Sequence, residues 1–417
     1  MTGKTELDVD LTDRSLYARG VPHGLFTRLR DTAAVSWHPP VEVHPGEGEA
    51  GFWSVFRHAE TVRVQRDWET FTATDGVEIN KASYDHAVAM LTSMDPPRHT
   101  RLRRLITAGF TPRMIGRLEE HLVQRTRRIL DTAAGQGACD FVSDVAFPLP
   151  MHVISDIVGI PDADRPWVFE QTERVLRAYD PTTSYTPADS EDAHAELFAY
   201  ASQLSEEKRA HPVDDVWTLI SQAEIVDDDG QVTSLAGLEL EVFFVVLALA
   251  GSETSRNAIS QGLIALMEHP EQLALFRGDL GVRRSATEEI LRWTSPVQFF
   301  GRTATCDVEL GGEQISAGDR VVVWYPSGNR DERAFGQPFH FDIQRDPNPH
   351  VTFGGGGVHY CLGANLARKE IEVMLGALFD RFDVEITGEP RWLGVGTASN
   401  VGVGLDELPV RLTPRAA

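Results

Sequence analysis

The residues with the clearest chemical potential lie in one glycine-rich segment, FGGGGVHYCLGANLARKE, from Phe353 to Glu370. Four successive glycines precede Cys361, and because each glycine costs backbone entropy, packing alone explains the run poorly. The residues after Cys361 follow an apolar helical pattern, which places the cysteine at a helix N-terminus. The N–H groups and the dipole at that end lower the thiol pKa, so Cys361 is expected to be a metal ligand or a nucleophile.

Three kinds of site compete for this loop. A phosphate cradle would need GxxxxGK[ST] or GxGxxG, and neither pattern fits Gly354 to Gly363. A cysteine nucleophile with His359 as its base is a second option, although residues two positions apart need not face each other. The third is ligation of haem iron by one thiolate, with loop N–H groups bonded to the sulfur. A small buried cysteine in a glycine turn is the alternative without chemistry, and the glycine run argues against it.

The loop resembles that of the cytochrome P-450 monooxygenase superfamily, which reads FxxGxHxCxG. The matching residues are Gly357, His359, Cys361 and Gly363. Gly354 stands at the family's phenylalanine position and Phe353 lies one residue earlier, a departure that concerns the packing of the loop and leaves the ligand assignment unchanged. By this resemblance Cys361 is the axial ligand of the haem iron, His359 contacts a haem propionate, and Phe353 and Gly363 belong to the haem-binding loop.

Other motifs follow the family's order along the chain. Glu289 and Arg292 form an ExxR pattern, and on a helix two residues three apart can form a charge pair. A surface pair is the common alternative. Because Pro296 and then the Asn329-Arg330-Asp331 run follow, the resemblance implies a fold-stabilising network, and both charged residues are assigned a structural role. Arg302 is implied as a haem-propionate contact.

His99 and Arg103 lie four residues apart on one predicted helix face, a geometry suited to gripping an anion. A basic helix face without a ligand is the simpler explanation. In a chain of net charge −23, however, a cationic cluster at 98–104 calls for an anion. By the resemblance, the haem propionates supply it.

The stretch AGSET, Ala250 to Thr254, matches the family's [AG]GxE/DT pattern inside a long apolar helix. The Thr254 hydroxyl can bond the carbonyl of Ala250, and Gly251 weakens the helix, so a local groove is expected there. An acid–alcohol pair in a dry site can relay protons to dioxygen, which makes Glu253 and Thr254 the candidates for proton delivery. A tolerated mid-helix glycine is the alternative.

The resemblance implies a monooxygenase that uses haem b and O2 to hydroxylate a C–H bond of a hydrophobic small molecule. Its electrons would come from NAD(P)H through a separate ferredoxin and ferredoxin reductase, because residues 1–417 are filled by one haem domain without a fused reductase. The protein is expected to be a monomer. An oxidase that desaturates or couples phenols stays open as an alternative. So does a haem-binding protein without turnover, although the acid–alcohol pair favours an enzyme.

The expected substrate pocket is apolar. Its candidate residues are Phe243, Val246, Leu247, Val297, Phe299, Phe300 and Ala398. The cysteine segment is similar to that of actinobacterial enzymes that oxidise steroids and methyl-branched lipids, and a terpenoid or polyketide is an equally credible substrate. A basic dock for the redox partner is predicted near the cysteine. Its residues are Arg113, Arg117, Arg345, Arg368 and Lys369.

Composition sets limits on this assignment. The chain has 417 residues, with 62 Asp and Glu against 39 Lys and Arg, and this acidity argues against nucleic-acid binding. Three scattered cysteines cannot form a disulfide framework or a four-cysteine zinc site, which favours a reducing compartment. The acidic N-terminus does not resemble a signal peptide, and no apolar run reaches about 20 residues. A cytoplasmic protein without a membrane anchor is expected.

The elements that must position these residues are mainly helical. Helices are predicted at Arg98 to Phe110, at Met114 to Ala134, from an N-cap near Ser234 to Met267, and at Leu362 to Phe382. Strands are predicted at Gly51 to Arg57, Val308 to Leu310, Arg320 to Trp324 and Val384 to Ile386. The fold class is therefore mainly α with minor β. The resemblance implies a single-domain P-450 fold, a triangular helical haem domain with a long central helix and small sheets.

Overall fold

The computed structural model describes residues 6–42, 49–81, 89–107, 112–178, 183–226, 230, 232–235, 237–393 and 403–415. Helices make up most of this part of the chain. They are α1 (His23–Thr32), α2 (His58–Arg66), α3 (Arg98–Thr107), α4 (Pro112–Gly135), α5 (Pro148–Val158), α6 (Arg165–Arg177), α7 (Pro187–Ala210), α8 (Val216–Ser221), α9 (Leu238–Glu268), α10 (Pro270–Gly278), α11 (Arg283–Thr294), α12 (Tyr325–Gly328) and α13 (Ala364–Arg381).

The strands are short and form several small sheets. They are β1 (Val35–Glu42), β2 (Glu49–Val55), β3 (Phe71–Thr72), β4 (Ala138–Asp140), β5 (Glu224–Val226), β6 (Val232–Ser234), β7 (Phe299–Ala304), β8 (Val308–Leu310), β9 (Glu313–Ile315), β10 (Arg320–Trp324), β11 (Phe382–Ile386), β12 (Arg391–Trp392), β13 (Leu405–Glu407) and β14 (Pro409–Pro414). The chain is thus mainly α with minor β, as predicted.

The chain divides into two compact units. The first, here called the sheet unit, comprises 1–84, 260–361 and 390–406, and the second, the helical unit, comprises 85–259, 362–389 and 407–417. One boundary falls within α9 and another directly after Cys361. Each unit is described by itself.

A five-stranded sheet in the order β1-β2-β10-β7-β3 organises the sheet unit. Strand β10 pairs in parallel with β2 and antiparallel with β7, and all five of its residues are buried. Because neighbouring side chains on a strand point to opposite faces, Val321 and Val323 enter one apolar cluster while Val322 and Trp324 enter another. A strand buried on both faces fits the unbroken apolar run of β10.

Helix packing organises the helical unit. Thr186 and Asp189 form a reciprocal capping box that starts α7, which packs beside α6. Helix α4 packs along α13, and Lys369 bonds to Glu119 at 2.6 Å between them. Three strands of this unit form a sheet in the order β11-β14-β4.

Most predicted elements are confirmed within a few residues, with one correction. Ser234 does not cap the long helix, because it pairs with Glu224 in the β5–β6 hairpin, and α9 begins at Leu238. Strand β2 contains most of the stretch predicted from Gly51, and β8 and β10 have the predicted bounds. Among the residues that the structure describes, no helix is long and apolar enough to span a membrane.

Candidate active site

The ExxR residues form a buried ion pair on α11. The Arg292 guanidinium donates to both carboxylate oxygens of Glu289, at 2.7 and 2.8 Å, and both side chains are fully buried. Arg292 also donates to the carbonyls of Asn329 and Pro338, at 2.8 and 2.9 Å. Removing either partner would weaken a buried charge network, which favours the structural role expected for the pair.

This network positions the cysteine loop through Asn329. The side-chain oxygen of Asn329 accepts from the Val351 N–H at 2.7 Å, and its amide nitrogen donates to the Thr352 hydroxyl at 2.9 Å. Thr352 donates in turn to the carbonyl of Leu291 on α11 at 2.9 Å. The backbone that leads into the glycine run is therefore held by Asn329 and Thr352, and Asn329 is also bonded to Arg292 of the buried ion pair.

The glycine run needs left-handed backbone and close approach to α2. Gly354 to Gly357 all have positive φ, between 65° and 104°. A Cβ on Gly357 would lie 2.8 Å from the Gln65 carbonyl oxygen, where no real side chain fits. Arg66 donates to the carbonyl of Gly355 at 2.9 Å, which ties the loop to the C-terminal end of α2. The run is thus required by geometry.

Cys361 lies at the end of this loop with its side chain exposed. Its N–H donates to the Phe353 carbonyl at 3.0 Å, which closes the loop on itself. The Phe353 ring is buried and contacts the Tyr360 ring, with centroids 6.1 Å apart. Phe353 therefore packs within the loop, one residue before the family's phenylalanine position. A thiol on a fixed, accessible loop suits metal ligation.

Arg302 is buried beside a residue that sequence reasoning missed. Its guanidinium donates to Gln65 Oε1 at 3.0 Å and to the Gly301 carbonyl at 2.8 Å, and it is 2% exposed. A Cβ on Gly354 would lie 3.7 Å from the His359 carbonyl oxygen and 4.0 Å from Gln65 Oε1. The structure thus brings Arg302 together with the backbone of the loop that carries His359. In the sequence, the one indication of Gln65 would have been an amide side chain on the buried face of α2.

In the helical unit, His99 and Arg103 both lie on α3, four residues apart as predicted. His99 is 1% exposed and Arg103 is partly exposed. Arg98, at the start of the same helix, pairs with Glu239 at 3.0 Å. At least one arginine of the basic cluster is thus neutralised within the unit.

The acid–alcohol segment lies on α9, and the Thr254 hydroxyl donates to the Ala250 carbonyl at 2.8 Å, as predicted. Glu253 is nearly buried. A Cβ on Gly251 would lie 2.8 Å from Ile154 Cδ1, so the glycine lets α9 approach α5. Helix α9 runs without interruption through Ala250–Thr254, so the expected opening of its ladder is not observed.

One buried acid of the helical unit escaped the sequence analysis. The Ser255 hydroxyl, next to Thr254, donates to Glu370 Oε2 at 2.5 Å, and Glu370 is 1% exposed. Burial raises the pKa of the Glu370 carboxyl to about 8, and the Ser255 bond lowers it only in part. The sequence offered a faint signal, since Glu370 ends the ARKE run on an otherwise apolar helix face.

Of the predicted pocket residues, Phe243, Val246 and Leu247 belong to the helical unit, and Val297, Phe299 and Phe300 belong to the sheet unit. Phe243 stacks on Trp217, with ring centroids 6.2 Å apart, and Leu247 is also buried while Val246 is partly exposed. Phe299 and Phe300 point to opposite faces of β7, because Phe299 packs on Trp324 and Phe300 on Tyr325. Val297 packs on the same cluster as Phe300. Ala398 lies outside the described residues.

The predicted basic dock needs correction. Arg345 is not a surface cation, because its guanidinium bonds Glu289 at 3.1 Å and joins the buried charge network. Lys369 is paired with Glu119. Arg368 is partly buried and donates to the Ala364 carbonyl at 3.3 Å. The side chains of Arg113 and Arg117 lie outside the described residues.

Comparison with known proteins identifies the family. The family model described as Cytochrome P450 matches residues 186–409. Cytochrome P450 126 of Mycobacterium tuberculosis is 44% identical over 411 residues, which cover 97% of each chain. The steroid C26-monooxygenase of Mycolicibacterium smegmatis is 39% identical, covering 94% of this chain and 92% of that protein. The methyl-branched lipid omega-hydroxylase of Mycobacterium bovis is 37% identical, covering 97% and 94%.

Among solved structures, Mycobacterium marinum cytochrome P450 CYP268A2 in complex with pseudoionone matches with a TM-score of 0.89 and 37% identity. That match covers 99% of this chain and 100% of that one. The predicted P450 fold is thereby confirmed. The fold and the sequence agree over almost the whole chain, and the chain belongs to the cytochrome P450 family of haem-dependent, oxygen-using monooxygenases.

Proposed function

We propose that this monooxygenase hydroxylates a C–H bond of a steroid- or lipid-type substrate. The loop of Cys361 carries the proposal: it is fixed by the charge network at one end, closed by its own backbone bond at the other, and leaves the thiol accessible. Bound haem would supply the oxygen activation, and a thiolate ligand from Cys361 would favour that chemistry.

In the sheet unit, Cys361 would ligate the haem iron. Arg302 would bind a haem propionate. His359, which lies in the same loop as Cys361, would also contact a propionate. The buried guanidinium of Arg302 and the adjacent Gln65 amide are polar groups inside an apolar surround, which suits a carboxylate. The loop residues Phe353 and Gly363 would shape the haem-binding turn.

In the helical unit, His99 and Arg103 would bind haem propionates from α3. Their spacing on one helix face allows both to reach one anionic group. With Arg98 neutralised by Glu239, these two residues are the preferred anion partners of the cluster.

Proton delivery is assigned to Glu253 and Thr254 on α9, with Ala250 and Gly251 forming the wall beside them. The Thr254 hydroxyl donates to Ala250 and so presents its lone pairs outward, where it can accept a proton donor. Glu370 and Ser255 provide a buried, proton-holding acid one residue further along α9. They would support the hydroxyl network rather than touch substrate.

The substrate is proposed to be a steroid or a methyl-branched lipid, and the names of two relatives support this class. One name places the oxidation at C26 of a steroid and the other at the omega position of a methyl-branched lipid. The apolar candidates are Phe243, Val246 and Leu247 in the helical unit and Val297 and Phe300 in the sheet unit, and Ala398 stays a candidate from the sequence. A terpenoid stays possible in this class, since the M. marinum structure holds pseudoionone.

Electrons are proposed to arrive from NAD(P)H through a ferredoxin and its reductase, with the chain acting as one haem domain, a monomer in the cytoplasm. An oxidase that desaturates its substrate or couples phenols would use the same haem-binding residues. Analysis of the reaction products would distinguish it from a hydroxylase. A haem-binding protein without turnover would not need Glu253 and Thr254.

The test is spectroscopic. Reduced protein with carbon monoxide should show the red-shifted Soret band of thiolate ligation, and Cys361→Ser should abolish it. Retention of that band in the variant would overturn the ligand assignment. Titration with steroids, branched fatty acids and terpenoids, followed by the low-to-high-spin shift, would then identify the substrate class.

A further inference from the structure

A buried polar cluster in the sheet unit carries a further inference about haem binding. Strand pairing places Arg302 opposite Val321 and Phe300 opposite Val323, so these four side chains share one face of the sheet. Tyr325 follows two residues after Val323 and joins the same apolar cluster. Its ring meets Phe300 edge-on, with centroids 5.9 Å apart. Arg302 and Tyr325 thus belong to one side of one sheet.

Gln65 joins this cluster from α2 in an orientation that its partner fixes. A guanidinium can only donate, so the Gln65 atom 3.0 Å from Arg302 must be its oxygen. The Gln65 Nε2 group is then turned elsewhere, and it has no hydrogen-bond partner among the described residues. Gln65 is 2% exposed, so that N–H2 group is a buried donor.

The Tyr325 hydroxyl is a second buried donor. Tyr325 is 1% exposed, and its hydroxyl has no hydrogen-bond partner within the described part of the chain. Burial is the main cause that raises the pKa of this hydroxyl. A buried phenol costs stability until it finds an acceptor.

We propose that the Tyr325 hydroxyl donates a hydrogen bond to the haem propionate that Arg302 binds, and that Gln65 is the positioning residue that holds the Arg302 guanidinium. The proposal rests on the proposed function. For a buried guanidinium with neutral buried donors in the same cluster, the best acceptor is a carboxylate, since a charged acceptor strengthens the hydrogen bond from each donor that reaches it. The haem that Cys361 ligates brings such a carboxylate to the same unit.

Tyr17 supplies a matched control in the same unit. Its hydroxyl is also buried, but it donates to the Leu11 carbonyl at 3.0 Å, and its ring packs on the other face of the sheet. Tyr17→Phe therefore removes a bond that the polypeptide makes for itself. Tyr325→Phe removes a hydroxyl that has no partner among the residues that the structure describes.

The experiment measures haem transfer from each holoprotein to apomyoglobin, together with urea unfolding of each apoprotein. We expect Tyr325→Phe to speed haem loss about tenfold, the value for one lost charge-assisted hydrogen bond, without lowering apoprotein stability. Tyr17→Phe should lower apoprotein stability and leave haem loss close to the wild-type rate. In resonance Raman spectra, the propionate bending bands should shift in Tyr325→Phe only.

Gln65→Glu provides an independent variant. Its carboxylate can still accept from Arg302, so the fold is preserved, but its negative charge opposes a propionate and should also speed haem loss. If Tyr325→Phe lost haem at the wild-type rate with unshifted propionate bands, the role of Tyr325 would be overturned. If the wild-type protein bound no haem, or lacked the thiolate Soret band with carbon monoxide, the proposed function itself would fail instead.

Discussion

The Ser255 hydroxyl donates a 2.5 Å hydrogen bond to Glu370 Oε2, joining α9 to α13 through two buried side chains. The other oxygen of Glu370 has no partner among the described residues. Burial outweighs the serine bond and raises the pKa of the carboxyl from 4.5 to about 8. The folded protein therefore holds a proton at neutral pH that the unfolded chain would release.

This relationship predicts a pH dependence of stability. Between about pH 4.5 and 8 the folded state binds one more proton at Glu370 than the unfolded state, so its contribution to stability falls as pH rises. The limit is about 1.4 kcal/mol for each pH unit. Glu370→Gln should flatten the loss, as measured by urea unfolding of the apoprotein at pH 5 and pH 8. Glu372→Gln, on the same helix but partly exposed, should keep the wild-type slope.

The charge network predicts a large effect of single substitutions. Arg292→Ala leaves the Glu289 carboxylate buried beside Arg345 alone and should destabilise the protein by about 3–5 kcal/mol. The matched control is the exposed pair of Arg411 and Glu385, where Arg411→Ala should cost less than about 1 kcal/mol. Urea unfolding of the apoproteins measures both. Equal effects of the two variants would contradict a structural role for the ExxR pair.

Proton delivery predicts a change in coupling. Thr254→Ala removes the hydroxyl that donates to Ala250 and should raise peroxide release per NADPH, by a factor of about 10 or more for a lost proton-transfer group. Thr254→Ser keeps the hydroxyl and should stay close to wild type. Peroxide and product are measured together with a reconstituted ferredoxin system. Unchanged coupling in Thr254→Ala would remove this residue from the proton path.

Redox docking gives a salt-dependent prediction. Charge reversal at Arg113 and Arg117 should slow reduction by ferredoxin at low ionic strength, and the difference should shrink as salt screens the attraction. Arg127 and Arg128 are exposed on the same helix, α4, and their reversal is the control. Stopped-flow reduction of the holoprotein distinguishes the two pairs. Arg345→Glu should instead destabilise the fold, because Arg345 is bonded to Glu289.

The sequence predicted the structure well where residues close together in the chain determine the local geometry. The glycine run indicated that packing alone does not explain this loop, and the positive φ angles of Gly354 to Gly357 give the backbone reason. The i,i+3 spacing of Glu289 and Arg292 predicted their bond, and the i,i+4 spacing of Ala250 and Thr254 predicted theirs. Helical spacing is enough to predict which of these residues lie next to each other on a helix.

Long-range contacts were beyond the sequence. Gln65 meets Arg302 across 237 residues, and Ser255 meets Glu370 across 115. Arg345 appeared free for docking because nothing local shows that its partner is Glu289, 56 residues away. Ser234 failed as a helix cap because it is the last residue of the β5–β6 hairpin, where it pairs with Glu224. These outcomes depend on tertiary packing, which no window of sequence contains.

The alternation of side chains along β7 places two of the predicted pocket residues on opposite faces of the strand. This difference can be tested by substitution. Phe299 and Phe300 are adjacent in sequence, yet Phe299 packs on Trp324 at 5.2 Å in the core while Phe300 lies on the Arg302 face of β7. Phe299→Ala should therefore cost about 3–5 kcal/mol of stability, the usual value for a buried aromatic.

Phe300→Ala should cost less stability, because Phe300 is only partly buried. If Phe300 lines the pocket, this variant should instead change the concentration of ligand needed for the low-to-high-spin shift. Urea unfolding of the apoproteins and spin-state titration of the holoproteins separate the two roles. A Phe299→Ala variant that altered ligand affinity while keeping wild-type stability would show that the core assignment of Phe299 is wrong.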